Sequence, residues 1–541
     1  MQRERAQATA SGAPAAGRRN HPAVPGLARL GAFLLVASAL AALFVLSNPT
    51  IPSEDGFRHF RQAALYARHG LFMHGFPWLP YSAMGRFPAD MWYGFHLWAI
   101  PFTFLREAVL GIKLIAVADI VALLLCLAAA LRRHRVAYWF LWPFVVLFFS
   151  PPILYGLLMT RPVVLTAGLC ALLFSFVLAD RLWGALLVSA ALASVDLSFF
   201  WAIPVISAIV LVTRGIAARA WSWKAAGASL LGLVAGWMLR PDALQALPLE
   251  GVQLFLLAAL KRHGPPIIFS LELSPVAPAE MLDSFALPLL VWGVMTAVFV
   301  AALLLRRGEL APEGRSLLLS SLAVALFFCC LTTFGTRRAA PFWVVFVVLF
   351  LAAAFSRLLD PRERKQPQFP GAEARLVFAI GLVLAFGLMA HDVVDQHLLR
   401  PRWRGAPPYR LQAAGEWLRR HTRPGDMVFN AGWGTFNELF FWSPENHYDS
   451  GIDPVFLYAY DQQLYWKAHH LWLGETTEVT CGMPRCRPGG GEDTYTVLRR
   501  DFKAVYVMAE RRTAPALYDY LRTDPRFIQC FDQDEVAIYR L

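Results

Sequence analysis

Long apolar runs separated by short charged loops dominate residues 1–392 of this chain. Eleven such runs can be distinguished, and the first, residues 27–47, has the roughly twenty apolar residues that a helix needs to cross a bilayer. The others are residues 108–131, 136–155, 162–179, 183–199, 200–213, 225–239, 285–305, 316–334, 340–356 and 375–391. The pattern predicts a polytopic α-helical membrane protein with about eleven spans.

The segment between the first two runs is neither a plain linker nor a plain span. Apolar positions at helical spacing predict an amphipathic helix over residues 55–69, with Phe57 and Phe60 facing the membrane. Residues 91–105 are apolar but short, and Pro101 interrupts them, so we expect a juxtamembrane or re-entrant helix there. A loop of about fifty residues usually has a function, and we place the candidate site in it.

Composition agrees with a membrane protein and divides the chain in two. Of the 541 residues, 57% are hydrophobic and 16% are charged, with a mean hydropathy of +0.46. Residues 1–392 hold 32 Lys and Arg against 19 acids, a net charge of +13, whereas residues 393–541 hold 18 against 19. The second part is therefore about one-quarter charged, like a soluble domain. The basic excess belongs to membrane loops and indicates no nucleic-acid partner.

The basic loops predict the orientation in the membrane. With the N-terminus in the cytoplasm, most short basic loops, such as residues 132–135, lie inside, as the positive-inside rule expects. No small-x-small cleavage site follows the first run, so we interpret it as a signal anchor. Polar residues 1–26 are predicted to be disordered and cytoplasmic. The predicted membrane domain is residues 27–392 of a bacterial inner membrane protein, and the predicted outer regions are loops 48–107 and 240–284 and a periplasmic domain, residues 393–541.

Residues 393–541 alternate between helical and extended patterns, which predicts an α/β domain. The predicted elements are a helix at 409–420, strands at 427–430 and 504–508, a helix at 514–521, and a hairpin of residues 527–531 and 535–540. If the domain is extracytoplasmic, the spacing of Cys481 and Cys486 suits a small disulfide loop. The spacing is also compatible with two free thiols. A zinc site would need further ligands close by in the sequence.

Two acidic residues directly after the first span are the main candidate catalytic groups. A carboxylate of Glu54 or Asp55 could act as the general base on an acceptor hydroxyl, and the pair could also hold a divalent cation. Ser53 followed by acids is, however, also a good helix start. Both roles are compatible, with Ser53 capping the helix and Asp55 facing a cavity.

Other polar residues between apolar segments are further cavity candidates. Asp90 is either a second acidic group, and a metal ligand together with Asp55 if a metal binds, or only a helix cap. His59 and His96 could bind phosphate or metal, or simply pack in the core. Arg58 lies beside them in the sequence. Asp196 lies in an apolar run and should face a cavity or a partner.

Four arginines at the outer ends of spans are not explained by the orientation rule. They are Arg161, Arg240, Arg337 and Arg338. A guanidinium group can bind a lipid phosphate through two parallel hydrogen bonds, which makes these residues candidates for a phosphate site. The alternative is that they contact bulk phospholipid headgroups.

Two segments resemble the GT-C glycosyltransferases, which include polyprenyl-phosphate-sugar mannosyl- and arabinosyltransferases and the catalytic subunits of oligosaccharyltransferases. Glu54-Asp55-Gly-Phe-Arg-His59, with the later FPADMWYGFHLWAIP, is similar to their first external loop. Trp417-Leu418 to Pro424-Gly-Asp426-Met-Val-Phe, followed by Trp433-Gly, resembles the outer domain of bacterial members. The layout of residues 27–540 also resembles theirs.

This resemblance implies an inverting transferase that moves a sugar from a polyprenyl-phosphate donor to an envelope glycan, lipid or protein. It implies Asp55 as the base and Arg161, or Arg337 with Arg338, as the donor-phosphate site. The WWDYG motif of oligosaccharyltransferases is absent, so transfer of a single sugar is expected, with no cofactor or with Mg²⁺ or Mn²⁺. The alternative is a non-catalytic transporter or assembly protein for envelope polysaccharide, although the internal repeats common in transporters are missing.

Overall fold

The computed structural model describes residues 26–219, 221–305, 311–359, 372–474 and 477–541. The N-terminal segment predicted to be disordered therefore lies almost entirely outside the described residues. The first part of the chain is helical: α1 Gly26–Ser47, α2 Asp55–His69, α3 Ala83–Arg86, α4 Tyr93–Ala99, α5 Ala108–Arg133, α6 Pro151–Leu158, α7 Pro162–Leu178, α8 Leu182–Val195, α9 Ala202–Ala218, α10 Lys224–Met238, α11 Ala246–Gly251, α12 Leu257–His263, α13 Pro278–Leu305, α14 Pro312–Phe334, α15 Ala340–Ala354 and α16 Ala372–Val394.

Eight helices within the described residues are long and apolar enough to cross a membrane. They are formed by α1, α5, α9, the continuous helical stretch Ala243–His263, and α13 to α16. Helices α6 and α7 meet at an angle of 107° and would add a ninth if the bent pair is one span. The predicted multi-pass helical architecture is confirmed, but eight or nine helices meet the length criterion instead of eleven.

Residues 136–155 and 240–284 are two of the predicted segments that differ from the structure. Residues 136–155 were predicted to be one span, but they contain turns, the 3₁₀ helix Trp142–Val146 and the start of α6. Prolines 143, 151 and 152 explain the difference, because proline lacks an N–H donor and clashes with the preceding helical turn. Residues 240–284, predicted to be an external loop, contain one of the eight long apolar helices.

Helices α8 and α10 are shorter than a bilayer-spanning helix and pack closely together. A Cβ atom at Gly232 would lie 2.2 Å from the carbonyl oxygen of Leu186, and one at Gly236 would lie 2.1 Å from that of Ala190. Only glycine allows the two backbones to approach so closely. Helix α8 ends at Val195, so this packing fixes the position of Asp196, which follows it.

The predicted amphipathic helix at residues 55–69 is α2, with the same bounds. Its apolar face was predicted to face the membrane, but it packs against the C-terminal part of the protein instead. Phe57 and Phe60 are buried against Phe441 of the C-terminal part, with ring centroids 5.2 and 5.9 Å apart. The prediction was wrong because an apolar stripe shows that a helix needs a partner but does not show which partner. Residues 91–105 form α4 and the short 3₁₀ helix Ile100–Phe104.

The C-terminal part is an α/β domain, as predicted. Its elements are α17 Gln412–His421, β1 Met427–Asn430, α18 Phe436–Trp442, β2 His447–Tyr448, α19 Pro454–Tyr460, α20 Gln462–Leu473, β3 Val479–Thr480, β4 Glu492–Asp493, α21 Thr494–Arg500, β5 Tyr506–Glu510, α22 Pro515–Thr523, β6 Ile528–Gln533 and β7 Val536–Arg540. The main sheet has the order β2-β1-β5-β7-β6. Strand β1 is parallel to β2 and β5, and the predicted hairpin is the antiparallel pair β6–β7. Cys481 and Cys486 form a disulfide.

The C-terminal domain packs on the segment between α1 and α3, which includes α2. The backbone N–H of Ile51 donates to the carbonyl of Ala406 at 3.1 Å, and the Trp78 indole donates to the carbonyl of Pro444 at 2.6 Å. The guanidinium of Arg61 also donates to the carbonyl of Phe441. These contacts hold the start of α2 between the membrane helices and the C-terminal domain, where the candidate site lies.

Candidate active site

A polar cavity of about 170 Å³ lies at the N-terminal end of α2. Its walls come from the start of α7, the end of α8, the loop before α13, the start of α15 and the C-terminal domain. Predicted site residues in the wall are Glu54, Asp55, Arg58, His59, Arg161, Asp196 and Arg338. Residues far apart in the sequence thus converge on one space.

Asp55 is held as an anion by positive charges. Its Oδ2 atom lies 2.7 Å from Arg161 Nη2, and its Oδ1 atom lies 3.6 Å from Arg58 Nη2 and accepts a 3.1 Å hydrogen bond from the Asn437 amide. Burial alone would raise the pKa of Asp55, but Arg161, Arg58 and Arg338 outweigh it and lower the pKa to about 2. The carboxylate is therefore ionised at any physiological pH.

Arg161 and Arg338 share a carboxylate that the sequence analysis did not single out. Pro162 favours an extended conformation of the preceding Arg161, whose side chain pairs with Asp55 and also with Glu272. Arg338 donates to Glu272 through Nε at 2.9 Å and through Nη2. Glu272 thus holds the two guanidinium groups side by side. Nothing in the sequence distinguishes it from other acids of that loop, because its partners are 111 and 66 positions away.

Glu54 faces the same cavity but has acidic surroundings. Its nearest cation, Arg410, lies 3.4 Å away and also binds the carboxylates of Glu438 and Glu510. Burial raises the pKa of Glu54 to about 7, and the charge of Glu438 adds to the shift against the opposing effect of Arg410. Neighbouring carboxyl groups in the sequence therefore have opposite environments.

Asp90 does not line the polar cavity. It lies beside a second, small cavity of about 20 Å³, and its Oδ1 atom accepts a 2.9 Å hydrogen bond from the N–H of Trp92, so it caps the turn before α4. Its Oδ2 atom binds His96 Nδ1 at 2.6 Å. His96 in turn contacts His59, which contacts Arg58 in the wall of the polar cavity.

Two of the predicted phosphate-binding arginines lie outside the lining of the polar cavity. Arg337 forms two parallel hydrogen bonds with Glu280. Arg240 is buried and donates to the backbone carbonyls of Trp237, Asp90 and Ala193. Its geometry is that of a structural clamp, so Arg161 and Arg338 are the predicted arginines that the fold brings to the cavity.

An apolar groove of about 790 Å³ adjoins the polar cavity. The two spaces share the wall residues Trp92, Ser198, Phe199, Arg338 and Ile452. Much of the groove is apolar, with Trp201, Phe255, Leu257, Phe327, Leu331 and Phe334, while Lys261 and Arg262 add positive charge. A molecule with a long apolar chain and an anionic head would match both spaces at once.

The C-terminal domain completes the cavity with Trp433, Gly434, Asn437 and Ile452. A Cβ atom at Gly434 would lie 3.6 Å from Glu54 Oε2, so its backbone closes the wall beside that carboxylate. Trp433-Gly was predicted to belong to an outer domain but not to the site. The domain is therefore part of the candidate site.

The structure does not bring the predicted metal ligands together. Asp55 and Asp90 line different cavities, and the near neighbours of the Asp55 carboxylate are cations, an amide and the Ser53 hydroxyl. Within the described ranges, one group of three potential ligands lies within 4.8 Å, namely His470, Cys481 and Cys486. The disulfide removes both thiolates, which are the species that bind zinc. A divalent cation at the polar cavity stays a prediction.

Solved structures share the architecture of this chain. ArnT from Cupriavidus metallidurans bound to undecaprenyl phosphate matches with a TM-score of 0.54 and 13% identity, over 95% of this chain and 98% of that chain. The arabinofuranosyltransferase AftD from Mycobacteria matches with a TM-score of 0.56 and 16% identity, over 94% of this chain but 41% of that chain. No protein-family model and no curated protein sequence matches. This chain therefore shares the fold of ArnT and AftD, in agreement with the fold predicted from the sequence.

Proposed function

We propose that this protein is a membrane glycosyltransferase that moves a sugar from a polyprenyl-phosphate donor to an acceptor hydroxyl. One observation carries the proposal: a polar cavity containing an ionised Asp55 shares a wall with a large apolar groove, and Arg338 lies in that wall. In the predicted orientation, transfer takes place on the extracytoplasmic face of a bacterial inner membrane, and the acceptor is an envelope glycan, lipid or protein.

The donor is assigned by chemistry to the two spaces. The polyprenyl chain would occupy the apolar groove, and its phosphate would bind Arg338 and Arg161, whose guanidinium groups suit a phosphate. Lys261 and Arg262 would add attraction for the anion. The fold agrees with this assignment, since ArnT of the same fold was solved with undecaprenyl phosphate bound.

Asp55 would act as the general base. Its carboxylate accepts the proton of the acceptor hydroxyl while the hydroxyl oxygen attacks the anomeric carbon, and the lipid phosphate leaves from the opposite side, which inverts the configuration. Paired with Arg161, Asp55 is a weak base. When the donor phosphate takes over part of the charge of Arg161, the pKa of Asp55 should rise toward its ordinary value and make proton transfer easier.

The experiment is a transfer assay with purified protein in proteoliposomes and a panel of polyprenyl-phosphate hexoses and pentoses, using membrane extracts as the acceptor source. We expect one donor to give labelled product, and Asp55→Asn to lower kcat by about 10²–10⁴-fold, which is the usual contribution of a general base. The matched control is Asp519→Asn, an exposed residue of α22. Activity of Asp55→Asn equal to that of the control would refute the assignment of the base.

A further inference from the structure

We propose that Asp90, His96 and His59 form an oriented hydrogen-bond chain that positions Arg58 against Asp55. In this proposal, which rests on the proposed function, Asp90 serves the reaction without lining the polar cavity. The three residues behind Arg58 are positioning residues, and the group that they position faces the proposed base.

The hydrogen-bond chain is continuous, and it is buried from Arg58 to His96. Arg58 Nη2 lies 3.2 Å from His59 Nε2, His59 Nδ1 lies 2.8 Å from His96 Nε2, and His96 Nδ1 lies 2.6 Å from Asp90 Oδ2. Arg58, His59 and His96 are 4%, 1% and 2% exposed, and the Asp90 side chain is 14% exposed, so water has little access to the hydrogen bonds between the first three residues. The chain crosses from the small cavity beside Asp90 to the polar cavity beside Asp55.

Only one arrangement of protons satisfies every contact. The Arg58 guanidinium can only donate, so His59 Nε2 must accept, and His59 Nδ1 must then carry the proton of the ring. His96 Nε2 must accept that proton's hydrogen bond, so His96 Nδ1 donates to Asp90. Both rings are then neutral. Burial, with Arg58 and His96 close by, lowers the pKa of His59 well below its ordinary value, in agreement with a neutral ring.

The direction of the hydrogen bonds restrains the side chain of Arg58. Its guanidinium carbon lies 4.3 Å from the ring centroid of Trp92, and its Nη2 atom lies 3.6 Å from Asp55 Oδ1. A long arginine side chain needs restraints to keep one conformation. His59 Nε2 supplies such a restraint by accepting a hydrogen bond from Arg58. His59 Nε2 can accept only while Asp90 accepts the hydrogen bond of His96 Nδ1 at the other end of the hydrogen-bond chain.

Asp90→Asn should reverse the chain with little change in shape. The backbone N–H of Trp92 is a fixed donor, so the amide oxygen of the variant must replace Oδ1, and the amide NH₂ must replace Oδ2. That NH₂ group forces His96 Nδ1 to accept. His96 Nε2 then donates to His59 Nδ1, and His59 Nε2 presents an N–H to Arg58. Two donors face each other, and Arg58 must move away from Asp55.

The test is a double-mutant cycle of Asp90→Asn and Arg58→Ala. We expect Asp90→Asn to lower kcat by about tenfold or more in the wild-type background, but by less than about twofold when Arg58 is already alanine. A merely structural loss would appear in both backgrounds and would overturn the proposal. Tyr66→Phe is the control, because it removes the other side-chain donor to Asp90 Oδ2 and leaves the chain intact.

A second variant keeps the test decisive if Asp90→Asn folds poorly. His59→Phe removes the acceptor beside Arg58 and places an apolar ring among Trp92 and Phe95, which already contact the imidazole. It should lower kcat as Asp90→Asn does and should add less than about twofold to Arg58→Ala. Equal losses in both backgrounds would again overturn the proposal.

An experiment that needs no activity measurement tests this proposal separately from the proposed function. Experimental structures of the wild type and Asp90→Asn should show Arg58 beside Asp55 in the first and displaced from it in the second. This result would stand even if the wild type transferred no sugar, which would refute the proposed function alone. An unmoved Arg58 in the variant would overturn the positioning role, whatever the activity.

Discussion

Two walls of the polar cavity place neighbouring carboxyl groups in opposite states. On the membrane-domain side, burial would raise the pKa of Asp55, but the charges of Arg161, Arg58 and Arg338 outweigh it and lower the pKa to about 2. On the side of the C-terminal domain, burial and the acids Glu438 and Glu510 raise the pKa of Glu54 to about 7. The peptide bond that links Glu54 to Asp55 thus also joins a cationic wall to an acidic one.

The two walls differ in the chemistry that they can support. The cationic wall is continuous with the apolar groove, so it suits the anionic head of a lipid donor. The acidic wall can keep a proton on Glu54 near neutral pH, whereas Asp55 is free of one. Pairs of carboxyl groups whose environments separate their pKa values are a recurrent feature of acid–base sites.

Among residues of the cationic wall, Arg338 is expected to show the largest effect of substitution on kcat/KM. Arg338→Ala removes the charged contact that we propose with the donor phosphate, worth about 1.5–3 kcal/mol, and should lower kcat/KM by about 10–100-fold. Arg337→Ala changes the neighbouring residue, and its loss of kcat/KM should be at least about tenfold smaller, because Arg337 binds Glu280 outside the cavity. Steady-state kinetics with varied donor measure both. Equal losses would show that Arg337 also serves the phosphate site.

Glu272 should have a smaller effect of the opposite sign. Its carboxylate occupies the guanidinium groups of Arg161 and Arg338, to which we assign the donor phosphate, so it competes with the phosphate for them. Glu272→Gln keeps the shape and removes the charge. We expect the donor KM to fall by about two- to tenfold, which corresponds to about 0.5–1.5 kcal/mol, the net contribution of an ordinary hydrogen bond. A raised KM would show instead that the carboxylate is needed to align the arginines.

The same two walls show what the sequence could predict. Local patterns located α2, β1 and the β6–β7 hairpin, and the orientation rule drew attention to Asp55, Arg161 and Arg338. Glu272 and Arg410 escaped because their roles arise only from distant contacts, such as that of Arg410 with Glu54, 356 positions away. One predicted span, residues 136–155, is broken in the structure because apolar composition does not register the prolines before α6.

Substitution of Glu54 should have the smallest effect, and it should appear mainly in how the stability of the folded protein depends on pH. Its folded-state pKa of about 7 lies above the ordinary value of 4.5, so the folded protein holds this proton more tightly than the unfolded chain. The contribution of Glu54 to stability is therefore full below pH 4.5 and is lost as the pH rises through about 7. Asp55 contributes in a separate window: its stabilisation is present above its ordinary pKa of 3.8 and is lost as the pH falls through about 2.

Glu54→Gln, measured by thermal unfolding in detergent between pH 5 and 8, should isolate this contribution. The glutamine cannot ionise, so the melting temperature of the variant relative to wild type should rise with pH over this range. Glu416→Gln, a change on α17 away from the cavity, is the control and should show no such trend. A pH-independent difference between Glu54→Gln and wild type would mean that Glu54 is already ionised at pH 5. The acidic wall would then not hold a proton, and the contrast between the two walls would reduce to the cations around Asp55.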